Sequence, residues 1–76
     1  MKGYKMSIPL TAPEKQSSMI ALIGTKDNDL IIKFNKGDVY KYHNAAEHCA
    51  AMLTAESSGK YFLHNIKPNY NFEKIS

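Results

Sequence analysis

The chain has 76 residues, 43% of them hydrophobic and 22% charged, with a net charge of +3. That length supports one small core and no second domain, and the composition excludes a disordered chain. No apolar run reaches the ~18–20 residues a membrane span needs, and a lone Cys49 excludes an internal disulfide.

All ten basic residues are lysines. A modest positive balance suits phosphate-bearing partners, although the missing arginine removes the bidentate fork that clamps phosphate best. An AT-rich coding bias would produce the same lysines without any function. A lone thiol fits a reducing compartment. Met1-Lys2-Gly3-Tyr4-Lys5 is basic, but no apolar h-region follows it, and Pro9 and Pro13 interrupt what is there. No signal peptide is read, and the expected location is the cytoplasm, or a host's cytoplasm for a phage-encoded chain.

Residues 1–16 read as an N-terminal arm, with the option of an edge strand. Residues 17–76 read as a single domain. Ser18 to Thr25 is the first strand, with Met19, Ala21 and Ile23 on one face and Ile20 and Leu22 on the other. Lys26-Asp27-Asn28-Asp29 is a turn cluster, and Leu30 to Phe34 is the second strand.

Asn35-Lys36-Gly37-Asp38 signals a hairpin. A two-residue loop would pair Ile32 with Lys41 and bury a lysine. A three-residue loop with Gly37 in the left-handed position instead pairs Ile32 with Tyr40 and Leu30 with Tyr42, which puts both tyrosines on the core face. The second register is favoured, and the third strand ends at His43.

A helix follows, with Asn44 as N-cap and Glu47 completing a capping box. Cys49, Met52 and Leu53 form its inner stripe, and it stops near Ala55. Glu56-Ser57-Ser58-Gly59 breaks the chain. A short second helix spans Lys60 to Ile66, buries Phe62 with Ile66, and stops before Pro68. Tyr70 and Phe72 cover the end of the core. The expected fold is thus α+β: a three-stranded antiparallel meander with one helix and a short second helix packed on one face. The other face would carry Met19 or Ile20, Ile31 and Val39, a candidate surface for homo-oligomerisation or for a protein partner.

Ser17-Ser18-Met19-Ile20, Ile23-Gly24, Leu30, Phe34 and Gly37 before Tyr40-Lys41-Tyr42 resemble the KTSC domain, whose hallmark is a central Tyr-x-Tyr. Leu53, Ser58-Gly59-Lys60-Tyr61-Phe62, Ile66-Lys67 and Tyr70 are similar to the family's second conserved segment. The resemblance covers roughly residues 17–74 and departs from the pattern at Leu63, at Lys67 and at Asn44-Ala45. The family occurs as a C-terminal appendage of lysyl-tRNA synthetases and as free-standing proteins of bacteria and phages. Membership implies the free-standing kind, and the synthetase association implies RNA.

Ser57, Ser58, Gly59 and Lys60 are candidates for a phosphate site, because a helix start preceded by small residues leaves backbone N–H groups free. Lys60, His64 and Lys67, at i, i+4 and i+7, would flank it. The plainer reading is an ordinary cap and a solvated face. Tyr40 and Tyr42, with Tyr61, are candidates to stack bases; the plainer reading makes them core rings with wet tips. His43, His48, His64 and Cys49 match no zinc spacing, so no metal or cofactor is expected. Glu14, Glu47, Glu56 and Glu73 form no carboxylate pair, and nothing orients Ser58 towards His64 as a nucleophile. The expected function is therefore a non-enzymatic module binding RNA or a small nucleotide. The alternatives are a phage homo-oligomer that sequesters a nucleotide signal, and a protein-interaction module.

Overall fold

A computed structural model describes residues 9–76; residues 1–8 of the expected arm lie outside the described residues. The sheet has five strands in chain order, all antiparallel: β1 Leu10–Thr11, β2 Ile20–Lys26, β3 Asp29–Phe34, β4 Val39–Tyr42 and β5 Phe72–Lys74. Between β4 and β5 a 3-10 turn, Ala46–His48, runs into α1, Cys49–Thr54; then α2, Ser58–Tyr61, widens into a π turn over Phe62–Ile66. Ile23, Leu30, Ile32 and Tyr42 meet Met52, Phe62 and Ile66 in the core.

The β3–β4 register is the expected one. Ile32 pairs with Tyr40 and Leu30 with Tyr42. Gly37 sits at φ 106°, and its N–H donates to the Phe34 carbonyl at 2.8 Å. A side chain rarely tolerates that φ, so the glycine fixes the loop length, and the loop length fixes which faces the tyrosines take.

Four expectations need correction. The sheet has five strands rather than three, because the arm contributes β1 and residues 72–74 return beside β4. Simple alternation fails in β2. A bulge between Ile20 and Leu22 inserts Ala21, so Ile20 and Ile23 both face the core. Asn44 is not an N-cap. It lies at φ 63°, donates its N–H to Asp29 Oδ1 at 2.9 Å, and leaves the 3-10 turn without a side-chain cap, with Glu47 exposed. Finally, Ile31 is 0% exposed, so it offers no open surface on the outer face, where Val39 is half-buried. Beside it Leu10 lies over Gly24, where an added Cβ would stand 2.7 Å from Leu10 Cδ2.

Candidate functional site

The core face of the sheet extends beyond the helices. Phe72 pairs with Tyr42 across β4–β5, so both rings point to the same side. Phe34 and Tyr40 stand on the same side at the hairpin end. With Phe62 from the π turn, these rings form one continuous cluster. Phe34 meets Tyr40 edge-on at 5.6 Å and Phe62 at 5.3 Å. Tyr42 meets Phe62 at 5.4 Å, stacks on Phe72 at 5.4 Å, and lies 6.5 Å from Tyr40.

A groove of about 640 Å³ opens over this cluster, between the β3–β4 loop, β5 and the π turn. Its volume is that of a small-molecule site. Lys36 and Lys67 stand at it with Leu63, and Asp38 reaches Lys74 at 3.5 Å. Phe72 is 56% exposed, which is unusual for a ring in an aromatic cluster. Tyr42 is 4% exposed. Burial, reinforced by neighbouring Tyr40, pushes the Tyr42 hydroxyl above its ordinary pKa of 10.0.

Three of the expected site residues therefore meet here: Tyr40, Tyr42 and Lys67. The others do not. Ser57 Oγ accepts the Lys60 N–H at 3.2 Å, an ordinary cap. Ser58 and Gly59 are buried, and Gly59 lies beside Met19 and Ser17. The expected cradle at Ser57–Lys60 thus has its two central residues buried. Lys60 and His64 are exposed but line no part of the groove. The stripe of Lys60, His64 and Lys67 assumed α-helical spacing. The Lys67 N–H instead donates to the Phe62 carbonyl five residues back, and the wider π turn swings Lys67 to the groove.

Tyr61 belongs to a different cluster. Its hydroxyl lies 2.7 Å from His48 Nδ1, and His48 Nε2 lies 2.9 Å from the Tyr70 hydroxyl. This arrangement ties the 3-10 turn, α2 and the segment before β5 together. Sequence reasoning missed it, and also missed Phe34, Lys36, Phe62 and Phe72 as groove residues; the one signal was Phe72, which the sequence places with Tyr70 over the end of the core. Among the described residues, no group of three His, Cys, Asp or Glu side chains is placed to hold a metal. Among the described residues, no helix is long and apolar enough to cross a membrane.

The KTSC domain family model matches residues 16–70. A crystal structure of a KTSC domain protein from Yersinia pestis is 30% identical, with a TM-score of 0.75; the match covers 92% of this chain and 100% of that one. No curated protein matches the sequence significantly.

Proposed function

This chain belongs to the KTSC domain family, and we propose that it acts as a non-enzymatic module that binds a nucleotide, free or within single-stranded RNA, in the aromatic groove. The observation that carries this reading is Phe72, 56% exposed in a cluster of rings at a groove that Lys36 and Lys67 also line. Aromatic faces left open to solvent stack bases, at ~1–3 kcal/mol per base. Lysines beside them meet phosphate as point charges. The base lies against Phe72 and Tyr40, and the phosphate lies between Lys36 and Lys67. The phosphate site is thereby moved from the Ser57–Lys60 helix start to the loop and the π turn.

The test is an amide-resolved NMR titration with a short single-stranded RNA and, separately, with mononucleotides and cyclic dinucleotides. Saturable shifts around Phe34, Tyr40 and Phe72, weakened as salt rises, are expected. Lys36→Glu with Lys67→Glu should remove binding, and Lys60→Glu should preserve it. Binding that ignores salt would assign the groove to apolar docking of a protein partner. Equal loss with Lys60→Glu would place the phosphate elsewhere.

A further inference from the structure

The groove has an apolar floor with a hydroxyl set into it. Tyr42 is held on three sides by Phe62, Phe72 and Tyr40. Among the described residues, its hydroxyl has no hydrogen-bond partner. The side-chain oxygen that is fully sealed and unpartnered is Ser58 Oγ, and the Tyr42 hydroxyl does not share that condition. The residue is 96% covered, and what remains of it lines the groove. With no described residue to bond it, the hydroxyl turns to solvent, and a ligand that displaces that solvent must replace its hydrogen bond.

We propose that the Tyr42 hydroxyl is the specificity-determining donor of this groove, and that it selects bases carrying a ring carbonyl, such as uracil and guanine, over adenine. The inference rests on the nucleotide reading above. Its physical basis is what each base leaves unpaired. A carbonyl oxygen accepts the Tyr42 O–H and carries no hydrogen on the contacting atom, the nearest ring N–H lying further along the base edge. An exocyclic amino group can donate one N–H to the hydroxyl, and its second N–H then faces Phe62 and Phe72 without a partner. Under-satisfied carbonyls are tolerated in protein interiors more readily than orphaned N–H groups. A tyrosine hydroxyl is protonated throughout the physiological pH range, and burial moves it further from ionisation.

Two purine nucleotides that differ only along the C6–N1 edge provide the test. Inosine monophosphate carries a carbonyl beside a ring N–H where adenosine monophosphate carries an amino group beside a bare ring nitrogen. Calorimetric titration of the full chain should give inosine monophosphate roughly tenfold tighter binding, the scale of one net hydrogen bond. Tyr42→Phe keeps the ring and removes the hydroxyl. It should weaken the inosine nucleotide more than the adenosine nucleotide and so erase the preference between them. A folded Tyr42→Phe chain that keeps the preference overturns the assignment, as does a wild-type chain that binds both equally or prefers adenine. The comparison of ligands on the wild-type chain stands even if the variant does not fold. Wild-type protein that binds neither nucleotide rejects the nucleotide reading itself, whereas binding without discrimination rejects only the role of Tyr42.

Discussion

Phe72 stacks on Tyr42 with ring centroids 5.4 Å apart and planes 29° apart, yet more than half of Phe72 remains exposed. One face of the ring closes the core and the other is free. Its loss should therefore separate binding from folding. Phe72→Ala is expected to lower affinity for any base by about 1–3 kcal/mol. Because so much of the ring is already in water, stability should fall by less than the 3–5 kcal/mol typical of a buried phenylalanine. Parallel calorimetry and urea unfolding measure both. An unchanged affinity would remove the ring from the site.

The cluster of His48, Tyr61 and Tyr70 is predicted to be structural. A neutral imidazole has one N–H and one bare nitrogen, so one phenol donates to the ring and the other accepts from it. Tyr61→Phe removes one of these bonds without removing the ring. The expected cost is about 1 kcal/mol, or a Tm lower by roughly 4–8 °C in a domain of this size. Nucleotide affinity should not change, because the cluster lies outside the groove. A variant with wild-type Tm and weakened binding would reverse that assignment.

These two sites mark how far the sequence could be read. The Tyr40 and Tyr42 faces were legible because Gly37 leaves one comfortable loop length, and loop length sets register. The β5 strand was not legible, since Phe72, Glu73 and Lys74 are all exposed and carry no apolar period. Ala21 could not be identified as a bulge, because an extra residue in an apolar run looks like any other. Asn44 was misread because asparagine suits both an N-cap and the left-handed region, and only the Asp29 carboxylate, 15 residues away, selects the second. Lys67 was chosen on α-helical spacing that the π turn does not keep. The groove was missed as a unit because its rings come from separate segments that only the sheet brings together.

Gly24 tests whether β1 belongs to the fold. An added Cβ would press on the Pro9 carbonyl and stand 2.7 Å from Leu10 Cδ2. A backbone carbonyl cannot move aside as a flexible side-chain tip can. Gly24→Ala is therefore expected to displace β1, whose Leu10 pairs with this residue, at a cost of about 1–3 kcal/mol. Hydrogen exchange should show faster exchange at residues 10–11 and 23–24, with protection at Ile32 retained. A variant with wild-type protection throughout would show that the arm is not held by that close approach.

Alkaline pH should weaken the fold through two identifiable groups. Burial raises the Cys49 thiol above its ordinary 9.0, and burial with neighbouring Tyr40 raises Tyr42 above 10.0. In both cases the folded chain retains a proton that the unfolded chain releases at lower pH. The stability this contributes is complete below the unfolded pKa. It declines as pH passes 9.0 for Cys49 and 10.0 for Tyr42, and is gone once pH exceeds the raised folded values. Urea midpoints measured from neutral pH upward should be flat at first and then fall. Tyr42→Phe should flatten the later part of the fall and Cys49→Ala the earlier part, because neither replacement has a proton to lose. The predicted gap between wild type and Tyr42→Phe therefore changes only on the alkaline side. A gap that shifts near neutrality, or a wild-type curve that stays flat through the alkaline range, would show that the Tyr42 hydroxyl is better solvated than its burial implies. It would then no longer be the desolvated donor at the groove floor.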